Sequence, residues 1–361
     1  MKLLLVGAGN SVHLQRWANA LAQAGMRVQV ATVHAPLPGG WLPAVTLHTL
    51  RPQGAAGYVG AVPALRRLVH EQGFDLVHAH YATGYGLLAT LARCRPRLVS
   101  VWGSDVLAFP DKSVLHAALL RRVLRSADAL AATSQALVHR VQTLLPGQPL
   151  HLTPFGVDTA QFQPALAPRR NPAQLVIGTS KGLAVTYGID LLLRAFAQLP
   201  ALNRHGQALQ LRLMATGPQA AETRQLAAAL GLQGRVHFDG GLPHEQMPQA
   251  LSELDVFVAP SRQESFGVSV LEASACALPV VASAVGGLPE VVEHGVTGLL
   301  VPPANVAALA AALSTLADDP ALRQAMGQAG RHMVQARYAW PYCVEQMMAV
   351  YRQVLAAPGR P

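Results

Sequence analysis

The stretch Pro260-Ser261-Arg262-Gln263-Glu264-Ser265-Phe266-Gly267-Val268-Ser269-Val270-Leu271-Glu272 changes structural character twice. Ahead of it, Val256 to Ala259 is short and continuously apolar, as a strand buried on both faces requires. Pro260 ends that strand, a polar loop carries Glu264, and a helix begins near Gly267. Strand, short loop and helix form the repeating unit of a parallel sheet covered by helices. In such a unit the free N–H groups of Phe266, Gly267 and Val268 point from the helix N-terminus toward an anion such as a diphosphate. Glu264 stands at the loop tip and Glu272 about two turns along the helix, among Leu271, Ala273, Ser274 and Ala275. An acid on each side of an anion site suits the hydroxyls of a sugar. The competing reading makes Glu264 a counter-charge to the helix dipole and Glu272 a surface residue.

Working outward, the same alternation fills the chain. Strands are expected at Lys2 to Val6, Arg27 to Thr32, Asp75 to His78, Leu98 to Val101, Ala129 to Ala132 and Leu150 to Thr153, with helices between them. The segment Gln163 to Pro172, containing PALAPRRNP, breaks every pattern and reads as a linker. A second series follows at Leu175 to Gly178, Leu211 to Ala215, Val236 to Asp239, Val256 to Ala259 and Val280 to Ala282. Two β/α series of similar size imply two Rossmann-like parallel-sheet domains, residues 1–165 and 172–339, facing across a cleft. A last helical pattern, 340–356, is expected to pack back on the first domain.

Composition agrees with this class. Of 361 residues, 51% are hydrophobic and 13% charged, which excludes a disordered chain, and the 5% aromatic content suits helices on a parallel sheet better than a β-barrel. Cys94, Cys276 and Cys343 are odd in number and far apart, so they read as buried thiols of a reducing cytosol. No segment reads as a signal peptide or a membrane span. The net charge of +9 is uneven: residues 1–165 carry +8 and residues 166–361 carry +1. Without aromatic residues interleaved among the basic ones, nucleic acid is not an expected partner. Arg121, Arg122 and Arg125 on an amphipathic helix point to an anionic membrane surface, against the plainer reading of a solvated basic face.

The first strand runs into Gly7-Ala8-Gly9-Asn10-Ser11, then a helix from about His13. A dinucleotide fingerprint needs a glycine at residue 12, which is Val, and an acid near Thr32-Val33-His34. The NAD reading fails on both counts, leaving a glycine turn that brings backbone N–H groups near a bound group.

Over nearly its full length the chain resembles a retaining GT-B glycosyltransferase of the family-four, group 1 type. The resemblance rests on the Glu264 to Glu272 pair, ACALPVVASAVGGLPEVVEHGVTGLLVPP from Ala275 to Pro303, and TPFGVDTAQFQP from Thr153 to Pro164. It extends to YGIDLLLRAFA from Tyr187 and NSVHLQRWANAL from Asn10. It implies an enzyme that moves a hexose from a UDP or GDP sugar to a saccharide or lipid-linked saccharide, in cell-envelope polysaccharide or glycolipid synthesis. By the resemblance, the second domain holds the donor and the first the acceptor. Glu272 would bind ribose, Glu264 the transferred sugar, and Ser265 to Val268 sugar and diphosphate. Lys181, one of three lysines beside 25 arginines, would neutralise the departing diphosphate, and Gly9 joins the donor set.

Three departures stand out. Thr186 replaces a second basic residue, Ala215 the first glycine of a Gly-x-Gly-Pro loop, and Trp102 a histidine near the reacting sugar. Asp105, His80 and His13 are candidates for that missing polar group. Asp105 is therefore placed with Glu264 and Lys181 as catalytic, and with Asn10, His13, His80 and Trp102 as acceptor-binding. No Asp-x-Asp motif is present, so no cofactor or metal is expected. A cytoplasmic enzyme, peripheral on the inner face of the membrane, is the expected setting. The alternatives are a non-catalytic nucleotide-sugar binder, or a sugar epimerase or phosphorylase on the same fold.

Overall fold

A computed structural model describes residues 1–164 and 171–357. Residues 165–170, in the middle of the expected linker, lie outside the described residues. The chain groups into two units: Met1–Pro154 together with the stretch from Cys343 onward, and Phe155–Tyr342.

The first unit is built on β1 (Lys2–Val6), β2 (Arg27–Thr32), β3 (Thr46–Thr49), β4 (Leu76–His80), β5 (Arg97–Val101), β6 (Ala129–Ala132) and β7 (His151–Leu152). They form one parallel sheet in the order β3-β2-β1-β4-β5-β6-β7, with Leu3 paired to both Val28 and Leu76. Leu3, Leu4, Leu5 and Val6 are all fully buried, because helices cover both faces. Those helices start where a serine can take an orphan N–H: Ser11, Ser113 and Ser134 accept from Leu14, His116 and Leu137. Leu4, Val6, Val77, Val99 and Leu130 meet in the core. In the C-terminal helix Trp340–Ala356, Tyr351 is fully buried and its hydroxyl lies 2.8 Å from His78 Nδ1.

The second unit carries β8 (Gln174–Thr179), β9 (Ala208–Leu213), β10 (Val236–Phe238), β11 (Val256–Ala259), β12 (Val280–Ser283) and β13 (Gly298–Val301). Their order is β10-β9-β8-β11-β12-β13, again parallel. Leu192, Leu193 and Phe196 of the helix Ile189–Phe196 are fully buried, each contributing about 1.5–3 kcal/mol by leaving water.

Both sheets are parallel, as the alternation required. Strands β3 and β13 were not anticipated: β3 is a four-residue edge strand with no fully buried side chain, and β13 begins with glycine. In each sheet the strand order reverses once, between β1 and β4 and between β8 and β11. Loops diverge at these two points, and parallel sheets receive ligands there. Among the described residues, no helix is long and apolar enough to cross a membrane. The three cysteines are free and buried; burial pushes the thiols of Cys94, Cys276 and Cys343 up to about 11, 12 and 12.

Candidate active site

In the second unit the chain leaves β8 at Thr179, whose Oγ1 accepts the Lys181 N–H at 3.1 Å and turns the backbone. The Lys181 side chain, 8% exposed, forms an ion pair with Glu264, 11% exposed, from the loop after β11. Its Nζ also lies 5.3 Å from the centre of the Tyr187 ring. The two charged residues anticipated 83 positions apart thus meet at the switch point of the sheet.

The loop that presents Glu264 is held from both sides. Below it, the Thr186 carbonyl accepts the N–H groups of Arg262 and Gln263, at 2.8 and 3.3 Å. The Arg262 guanidinium grips both Asp190 oxygens at 2.7 Å, and holds the Asp190 carboxyl below the usual range. Arg262 is therefore committed to the fold and does not replace the basic residue missing at Thr186. Above it sit Gly286 and Gly287. A Cβ at Gly286 would lie 1.7 Å from the Glu264 carbonyl oxygen, so no other residue fits without moving the loop. Gly287 N–H donates to that same oxygen at 3.2 Å.

Beyond Glu264, Ser265 is partly buried, and the Phe266 ring is buried against Phe155 and Tyr338. Gly267 takes φ +113°, a conformation other residues rarely adopt, and starts the helix Val268–Ala275. The N–H groups of Val268 and Ser269 open that helix and have no intrahelical acceptor. Glu272 is 7% exposed, and its Oε1 lies 3.1 Å from His244 Nε2. His244 packs edge-on to Phe162 at 5.5 Å. Sequence reading missed His244, one of 14 histidines, because nothing in its spacing ties it to Glu272. The arrangement offers one cation, helix-start amides and two carboxylates within one unit, a set that suits a phosphorylated sugar.

In the first unit, the turn after β1 and the ends of β4 and β5 bring several of the expected residues together. The His80 ring stacks on His78 at 3.9 Å and meets Trp102 at 4.9 Å; Trp102 in turn meets His13 edge-on at 6.1 Å. His78 is satisfied by Tyr351 and by Ser100, at 2.8 and 2.7 Å. Both His80 ring nitrogens are buried without a partner, and burial lowers its pKa to about 3. Asn10, in the turn after β1, is exposed.

Two expectations change here. Asp105 is fully buried, and its oxygens accept the N–H groups of Ala82 at 2.9 Å, Gly103 at 2.8 Å and Trp102 at 3.2 Å. Burial raises its pKa. It organises the loop that carries Trp102, with no oxygen turned outward, and so is not placed to meet a reacting group. Gly9 donates its N–H to Thr32 Oγ1 at 2.9 Å, and a Cβ there would press on Thr32 and Pro36. Its glycine serves close packing of the turn on β2, and its amide is not available to a diphosphate. Also unanticipated is the group formed by Tyr85, whose hydroxyl lies 3.1 Å from Thr32 Oγ1 and 2.5 Å from His34 Nδ1, with Tyr58 edge-on at 5.3 Å.

Residues 167–333 match the family model of glycosyl transferases group 1, and residues 2–134 that of glycosyl transferase 4-like proteins. The GDP-mannose-dependent alpha-(1-6)-phosphatidylinositol monomannoside mannosyltransferase of Mycolicibacterium smegmatis is 34% identical, over 76% of each chain. A D-inositol 3-phosphate glycosyltransferase of Catenulispora acidiphila is 32% identical over 80% of this chain and 74% of its own. Among solved structures, a sucrose-phosphate synthase from Thermosynechococcus elongatus superimposes with a TM-score of 0.86 at 26% identity, covering 99% of this chain and 100% of the other.

Proposed function

The chain belongs to the group 1 glycosyltransferases of GT-B architecture, and we propose that it moves a hexose from a UDP or GDP sugar to a saccharide or lipid-linked saccharide, with retention at the anomeric carbon. The observation that carries this reading is the Lys181–Glu264 pair at the switch point of the second sheet, with Glu272 on the helix that follows. The diphosphate lies against Lys181 and the first amides of the helix Val268–Ala275. Glu264 accepts hydroxyls of the transferred sugar, and Glu272 those of the ribose. Without donor, Lys181 and Glu264 neutralise one another. Donor entry separates them, because phosphate oxygens take the cation and sugar hydroxyls take the carboxylate. As the bond from C1 to the diphosphate breaks, its electron pair stays on phosphate, and Lys181 faces charge that grows through the step. The acceptor oxygen bonds to C1 on the same face, and its hydroxyl proton passes to the departing diphosphate oxygen. No metal has a part in this scheme.

Among relatives, the mannosyltransferase named above uses GDP-mannose and a lipid acceptor, which supports a GDP sugar and a lipid-linked saccharide. A lipid acceptor fits the surface of the first unit. Val114 and Leu115, at 82% and 80% exposure, open the helix Val114–Ser126, whose Arg122 and Arg125 are also exposed. Leu115, Ala118, Arg122 and Arg125 fall on one helical face, suited to an anionic membrane. Arg121 is less free, since its Nε donates to the Leu144 carbonyl at 3.1 Å.

A thermal-shift screen against UDP, GDP and ADP sugars tests the donor, because a ligand of the folded state raises apparent stability. Proton NMR of the product formed from the donor so found then reads the anomeric configuration. Retention is expected; inversion, or conversion of the donor that depends on added phosphate, would contradict the reading.

A further inference from the structure

The Glu272 carboxylate is nearly buried, yet among the described residues only one side chain, His244, bonds to it. Oε1 faces His244 Nε2 at 3.1 Å, whereas Oε2 has no partner and is not sealed from solvent. A carboxylate oxygen accepts, so Nε2 carries the hydrogen and His244 is the donor. The donor is itself held in place. Its ring lies against the edge of fully buried Phe162, and its backbone follows Pro243 into the turn His244–Gln246. The two residues come from different parts of the second unit: His244 from the loop after β10, Glu272 from the helix after β11.

We propose that His244 is a positioning residue for the nucleotide. By occupying Oε1 it fixes the Glu272 side chain in one rotamer and leaves Oε2 turned outward to accept the ribose hydroxyls. The inference rests on the reading of Glu272 as the ribose-binding residue. A glutamate without this tie samples several rotamers and must be ordered when ligand binds, which weakens binding. The effect is confined to ligands with a ribose diol, since Oε2 is the atom that His244 sets in place.

The test is calorimetric binding of GDP and UDP, each compared with its 2′,3′-dideoxy counterpart. His244→Leu keeps comparable volume against Phe162 and removes the donor, while His244→Gln restores an N–H. Wild type is expected to favour the ribo form. His244→Leu should weaken the ribo form by about fivefold to tenfold, the scale of ordering one flexible side chain on binding, and change the dideoxy form by less than twofold. His244→Gln should recover most of the loss. An equal loss for both forms in His244→Leu would overturn the proposal, as would His244→Gln behaving like His244→Leu. So would a lowered melting temperature with wild-type binding. A wild type that binds both forms equally would instead refute the ribose reading of Glu272, and this inference with it.

Discussion

Glu272 and His80 show how burial decides what a polar side chain can do. Glu272, with one oxygen tied and one open, contributes equally before and during transfer if it only holds ribose. Glu272→Ala should therefore raise the donor KM and leave kcat less affected. Initial-rate kinetics over a range of donor concentration check this. His80 is a different case, with no partner for either nitrogen and a pKa lowered to about 3 by burial. Between pH 6.5 and about 3 the unfolded chain binds a proton at this residue that the folded chain refuses. Its neutral form thus costs nothing above pH 6.5, and stability is lost as pH falls toward 3. At pH 5 the loss from His80 alone is about 2 kcal/mol. His78, lowered by burial and by His80, acts in the same direction, whereas Asp105, raised by burial, acts in the opposite one. Urea unfolding at pH 7.5 and 5, followed by fluorescence, should show His80→Leu losing less stability on acidification than wild type. Trp17, Trp41 and Trp102 all report on the first unit.

At the scale of elements, the strand–loop–helix from Val256 to Ala275 was readable because its residue types change within a few positions and its chemistry sits on one continuous segment. Lys181 was readable for a related reason, as a rare lysine just past a strand end. His244 was not, since it reaches Glu272 only once β10 and β11 have found their places in the sheet. Asp105 was misread because sequence does not show that three backbone N–H groups converge on it. Strand β3 was missed because a short edge strand, buried on neither face, has no hydrophobic pattern to read. The helix Val114–Ser126 was identified as basic and amphipathic, but the exposure of Val114 and Leu115 at its start emerges only from the fold. On that account, vesicles rich in anionic lipid should bind the protein better than neutral ones, with binding that weakens as salt rises. Arg122→Glu with Arg125→Glu should remove the salt-sensitive part, and Val114→Ser with Leu115→Ser should weaken what persists at high salt. Sedimentation with vesicles of both compositions measures each. Equal binding to both types would contradict the docking of this helix.

For the whole molecule, two parallel sheets with one order reversal each explain why the chemistry gathers where it does. The reversal between β8 and β11 brings together the loops that carry Lys181 and Glu264, and the Gly286-Gly287 turn after β12 closes against the second of them. In the proposed function phosphate charge is met by a lysine and by amides of the helix start, and on that proposal activity should persist in excess chelator. Complete loss that Mg²⁺ or Mn²⁺ restores would show that an ion carries that charge. The ion pair also has a structural share. Lys181→Ala leaves the Glu264 carboxylate nearly buried and unpaired, at a cost of about 3 kcal/mol, so melting curves must accompany any kinetics. The most direct measurement is kcat at saturating donor and acceptor for Lys181→Ala and Glu264→Gln, on protein shown to be folded. The account predicts a fall of about 10²-fold or more in Lys181→Ala and a clear fall in Glu264→Gln, with nucleoside diphosphate still bound by the latter. Near-wild-type kcat in both variants would contradict it.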